Sequence, residues 1–94
     1  MATPQWIVRR NRRHVFDYLH DHPCVDCGQD DVLVLTFDHT NPETKTDRVA
    51  NMIFRSSIAT LQTEIDKCEI RCANCHTKKT AQQYNYYKYL EEED

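Results

Sequence analysis

The chain has no run of about 18 apolar residues, which excludes a membrane-spanning helix. No apolar leader opens it, since it begins Met1-Ala2-Thr3-Pro4-Gln5-Trp6, and its five cysteines are an odd number that suits a secreted disulfide framework poorly. Both absences point to a reducing, intracellular (cytoplasmic) setting. Repeats, low-complexity tracts and linkers are missing, so residues 1–94 are expected to form one domain. So short a chain has little core to offset its conformational entropy, and it needs a metal or disulfides as a staple. Glycine is scarcer still: Gly28 is the only one.

An excess of positive charge is also lacking. Twelve Lys and Arg stand against fifteen Asp and Glu, a net charge of -3, which at first sight disfavours a nucleic-acid partner. Four of those acids form the tail Glu91-Glu92-Glu93-Asp94, and without it the two signs nearly balance. Local patches therefore matter more than the total. Arg9, Arg10, Arg12 and Arg13 lie close together, and Lys78-Lys79 follow the last cysteine pair.

What the chain does have is two Cys-x-x-Cys pairs, Cys24-Val25-Asp26-Cys27 and Cys72-Ala73-Asn74-Cys75. Each pair offers two thiolates to one tetrahedral ion, so Cys24, Cys27, Cys72 and Cys75 are expected to hold a structural Zn²⁺. Gly28, just after the second sulfur, suits the positive φ of a zinc knuckle. A redox role has little support, because neither pair sits between a strand and a helix of a βαβ unit. Cys68 is left over and reads as a small core residue. Such a clasp would draw Asp38-His39 toward His76, bringing a carboxylate and two imidazoles together as material for a second metal ion and an acid/base group. That combination points to a metal-dependent phosphodiesterase.

Periodicity fills in the elements. Residues from about 4 to 20 read as a basic helix with Thr3 as its cap, Pro4 in its first turn, and Val8, Val15, Phe16 and Leu19 on one arc. Arg12 interrupts that arc and must snorkel or find a partner. Residues 32–38 read as a strand that places Leu33, Leu35, Phe37 and His39 on one face and Val32, Val34, Thr36 and Asp38 on the other. A twist or bulge at its end is then needed for Asp38 and His39 to serve one site. Residues 40–55 read as a polar loop across the front of the site. Ser56 or Ser57 caps a helix through about residue 67 with Ile58, Leu61, Ile65 and Cys68 inward. A short strand at residues 69–71 precedes a last helix over about 75–90, with Ala81, Tyr84 and Tyr87 toward the core. The run Tyr84, Tyr86, Tyr87 and Tyr89 can stack on bases or pack on protein.

The segments Cys24 to Gly28, Leu35-Thr36-Phe37-Asp38-His39, Lys45, Glu64-Ile65-Asp66-Lys67-Cys68 and Arg71-Cys72-Ala73-Asn74-Cys75-His76-Thr77-Lys78-Lys79-Thr80 together resemble the HNH, or ββα-metal, nucleases. The resemblance spans about residues 24–81. It implies an α+β fold: a small zinc-stabilised ββα-metal, treble-clef-like domain with an N-terminal helix and a helix inserted before the second pair, its core at about 24–90. It implies a DNA endonuclease in which His39 is the general base and Asp38 and His76 hold a catalytic Mg²⁺, Mn²⁺ or Ni²⁺. Arg9, Arg10, Arg13, Lys45, Lys78 and Lys79 are the candidate DNA contacts. Lys78 and Lys79 would lie on the first turn of the last helix, whose amides also face an anion. The asparagine that orients the family's base histidine has no counterpart between Glu64 and Arg71. The implied context is a phage, mobile-element or defence system, as a monomer or weak homodimer. Its rivals are a non-catalytic zinc module that binds nucleic acid or protein and a nuclease acting on junctions or RNA.

Overall fold

A computed structural model describes residues 3–88 and 90; the acidic tail 91–94 and Tyr89 lie outside the described residues. Helix α1 (Gln5–Asp21) begins one residue later than the periodicity predicts. Pro4 itself is its cap, without a side-chain bond, and Thr3 does not serve. Its inner face carries a residue that the hydrophobic arc does not reveal. Asn11 is fully buried and donates Nδ2–H to the carbonyls of Ile53 and Ser56, both at 2.9 Å. A buried amide is tolerated when so bonded, and here it fixes the crossing segment against α1. Phe16, expected inside, is half exposed.

The first strand is shorter than predicted. Asp31 accepts the Leu33 amide at 3.0 Å, and this local bond winds Val32–Val34 into a 3₁₀ turn that leaves Leu33 93% exposed. Strand β1 is therefore Leu35–His39, and it pairs antiparallel with β2 (Cys68–Cys72). The ladder is unbroken from Leu35 opposite Cys72 to His39 opposite Cys68, so the expected bulge is absent. Asp38 and His39 thus lie on opposite faces of the sheet.

Between the strands, the expected loop winds twice, as a 3₁₀ turn at Pro42–Thr44 and as the short helix α2 (Val49–Met52). Helix α3 (Ile58–Ile65) starts at Ser57, whose Oγ accepts the Thr60 amide at 3.2 Å. Leu61 and Ile65 are completely buried, each contributing roughly 1.5–3 kcal/mol. They pack with Val49 and Met52 in one core cluster, while Leu19, Cys24, Leu35, Ile70 and Cys72 form a second. Val15, Tyr18 and Phe37 touch both clusters and join them.

Helix α4 (Ala73–Gln83) packs on both strands. It begins two residues earlier than expected, because Cys72 is its cap and accepts the Cys75 amide at its sulfur. It also ends earlier: Tyr84 closes it and Asn85 turns left-handed with φ 55. Tyr84 and Tyr87, expected in the core, are 66% and 65% exposed. Among the described residues, the architecture is a small α+β fold of four helices and a two-stranded antiparallel sheet. No helix among the described residues is long and apolar enough to cross a membrane.

Candidate functional site

The two cysteine pairs converge. Gly28, at φ 79, lets its amide return to the Cys24 carbonyl at 2.9 Å and closes the first knuckle. The Val25 amide bonds to the Ile70 carbonyl at 2.9 Å, docking that knuckle on β2. The second pair spans the end of β2 and the first turn of α4. All four sulfurs lie within 4.8 Å of one another, and Cys27 and Cys72 are 3.7 Å apart. Tetrahedral zinc–sulfur bonds of about 2.3 Å place sulfurs about 3.8 Å apart, so the cluster fits a single ion. Its electrostatics ask for one. Burial pushes the Cys24 thiol up, but backbone N–H groups of Cys72, Cys27 and Asp26 outweigh this and draw it down to about 6. Beside Cys72 and Cys27, the Cys75 thiol is pushed up to about 12. Four thiolates at this spacing repel, and a cation is what lets them ionise together.

Beyond the clasp, Asp38, His39 and His76 line one cavity of about 950 Å³. All five residues of β1, from both faces of the strand, line this cavity, so Asp38 and His39 both reach it without a bulge. Asp38 is held from the other side by Arg71 Nη1 at 2.8 Å and Lys79 Nζ at 3.0 Å, both on Oδ2. Burial pushes its pKa up, yet Lys79 and Arg71 hold it below the usual carboxylate range. His76 Nδ1 lies 3.9 Å from the same oxygen, too far for a hydrogen bond, and is buried without a partner. Two donors sharing an ion at about 2.1 Å stand about 3 to 4 Å apart, so this carboxylate and imidazole fit as a ligand pair. Lys79 would have to yield part of its hold on Oδ2.

The orienting partner of His39, absent from the sequence reading, is Glu64. His39 Nε2 donates to Glu64 Oε2 at 2.8 Å, and Nδ1 has no protein partner among the described residues. Glu64 is only 2% exposed. Its Oε2 also accepts the Thr46 amide at 2.9 Å, and its Oε1 accepts Lys67 Nζ at 2.9 Å. Burial would raise its pKa, but Lys67, Thr46 and His39 together bring it down to about 2. One signal was visible beforehand: Glu64 falls on the buried arc of α3, beside Leu61 and Ile65.

The basic residues divide. Lys45 and Lys79 line the cavity, as do Arg12 and Arg48, which sequence reading did not assign to the site. Arg9, Arg10, Arg13 and Lys78 are not among its walls. Arg10 instead donates to the Ser56 carbonyl at 3.0 Å and lies over Trp6, and Arg13 pairs with Asp17 at 3.2 Å. Lys78 and Lys79 sit on the second turn of α4, whose first-turn amide is directed at sulfur rather than at an anion. Comparisons with protein-family models, curated proteins and solved structures return no match to this chain.

Proposed function

We propose that this chain is a metal-dependent DNA endonuclease of the HNH type, hydrolysing phosphodiester bonds on a zinc-pinned ββα-metal core made of β1, β2 and α4. The observation that carries this reading is a single cavity that contains Asp38, His39, His76 and four cationic side chains. Cys24, Cys27, Cys72 and Cys75 hold structural Zn²⁺, which a reducing compartment keeps supplied with free thiols. Asp38 and His76 hold the catalytic Mg²⁺, Mn²⁺ or Ni²⁺, which when bound supplies Lewis-acid stabilisation of the phosphate. His39 Nδ1 takes a proton from water, whose oxygen forms the new bond to phosphorus. Lys79, Lys45, Arg48 and Arg12 hold the phosphate oxygens in line for that attack. The bond from phosphorus to the 3′ oxygen breaks, and that oxygen takes a proton from solvent water, leaving a 5′ phosphate and a 3′ hydroxyl. The cavity carries few groups able to read bases in a groove, so the enzyme has weak sequence demands.

A non-catalytic zinc module is favoured by one feature, the charge of Asp38 already being answered by Arg71 and Lys79. Plasmid relaxation decides between the readings. With Mg²⁺, Mn²⁺ or Ni²⁺ the parent should nick, and His39→Ala should lose about 10²- to 10⁴-fold in rate while keeping its fold. Equal nicking by both, or none by either in any metal, selects the scaffold.

A further inference from the structure

A buried carboxylate that accepts three hydrogen bonds is a costly feature for a small domain, and removing it would leave the His39 and Thr46 donors without this acceptor. At Glu64 the donors are His39 at the tip of β1, Thr46 in the crossing loop, and Lys67 just beyond α3. Lys67 extends the connection, donating to the Thr44 carbonyl at 2.9 Å and to Thr46 Oγ1 at 3.2 Å. The loop so fastened carries Lys45, a wall of the cavity.

A neutral imidazole has two tautomers, and a hydrogen bond at one nitrogen decides which nitrogen keeps the lone pair. An ionised carboxylate can only accept, so beside Glu64 the His39 proton must sit on Nε2. Oε2 serves His39 and Thr46 at once, which makes the orientation of the imidazole and the placement of the Lys45 loop two consequences of one oxygen.

We propose that Glu64 is the positioning residue of the site: it fixes His39 in the Nε2–H tautomer, with the Nδ1 lone pair available to the cavity, and through Thr46 it sets the Lys45 loop at the same time. The role rests on the nuclease reading for its catalytic meaning, but its two physical consequences exist without turnover. Carboxamide cannot reproduce it. In Glu64→Gln the one amide oxygen could face either the His39 and Thr46 donors or Lys67, and in either orientation one side meets an NH₂ group.

The test uses zinc-loaded, uniformly ¹⁵N-labelled full chain at about pH 8, where an ordinary imidazole is neutral. The His39 signals are assigned by their loss in His39→Ala. In the parent, imidazole ¹⁵N shifts should show one tautomer, protonated at Nε2, and the Thr46 amide should exchange slowly. Glu64→Gln and Glu64→Ala should mix or invert the tautomer and speed Thr46 exchange. With plasmid and Mn²⁺, they should lower kcat about 10- to 100-fold with little change in KM. A parent His39 protonated at Nδ1 or averaged between tautomers overturns the proposal, even should neither variant fold. So does a Glu64→Ala variant that keeps the parental tautomer and Thr46 protection. A parent with the expected tautomer and no nicking in any metal overturns the nuclease reading alone.

Discussion

Arg71 of β2 donates Nη1–H to Asp38 of β1 at 2.8 Å, and the same guanidinium reaches Asp26 inside the first cysteine pair through Nε at 2.8 Å. Clasp and cavity are therefore joined by one side chain. Burial would lower the Arg71 pKa, but Asp26, Glu69 and Asp38 outweigh it and raise it further. Arg71→Met should cost about 2 kcal/mol in urea unfolding, since it leaves three carboxylates facing one another across the sheet. Lys79→Met removes a more exposed partner and should cost below about 1 kcal/mol. Equal losses for the two would show that Arg71 is not the joint.

Metal content and thiol reactivity test the clasp. The protein should carry one zinc per chain in native mass spectrometry, lost with its fold in Cys72→Ser and retained in Cys68→Ser. Burial, then the charges of Glu64 and Asp38, push the Cys68 thiol up to about 11, so it stays protonated near neutral pH. Iodoacetamide should then label the loaded protein slowly at every cysteine. After chelation, labelling at Cys24, Cys27, Cys72 and Cys75 should rise sharply. Rapid labelling of Cys24 in the loaded protein would contradict its place in the cluster.

Glu64 gives the stability a pH signature. Its folded pKa of about 2 lies below the ordinary carboxyl value of 4.5, so its contribution is full above that ordinary value and fades as pH falls toward 2. The stability gap between the parent and Glu64→Gln should accordingly be widest above about pH 5 and should narrow on acidification. Metal loss on acidification affects both proteins, so the difference between their urea curves is the quantity to follow. A gap that widens toward acid would reverse the assigned sign.

The cysteine clasp, α3 and its Ser57 cap were legible because each depends on spacing or on a local side-chain bond. What escaped depends on long-range partners. Glu64 and Asn11 are polar residues on inward faces, and partners distant in sequence hold them there: His39, 25 residues from Glu64, and Ser56, 45 residues from Asn11. Leu33 escaped for the opposite reason. A single Asp31 bond two residues away overrode a β-branched run that otherwise reads as strand. Tyr84 and Tyr87 kept helical spacing in the sequence, but α4 stops at Gln83 and takes them out of register with the core. The basic helix was recognised without showing which arginine faces the cavity; Arg12, which breaks the apolar arc, is the one that does.

Arg12 and Arg48 therefore carry the last prediction. Both line the cavity, whereas Arg9 is exposed elsewhere on α1 and Arg13 is engaged with Asp17. Each phosphate contact on duplex DNA adds about 0.9 to the slope of log affinity against log salt. In His39→Ala, which binds without cutting, adding Arg12→Ala or Arg48→Ala should weaken duplex binding at low salt and reduce that slope by about 0.9 each. Arg9→Ala and Arg13→Ala should leave the slope nearly unchanged. Fluorescence anisotropy of a labelled duplex across a salt series reads both quantities. The opposite ranking would place DNA along the outer face of α1, away from the Asp38, His39 and His76 cavity, and would separate the basic helix from the chemistry proposed for that cavity.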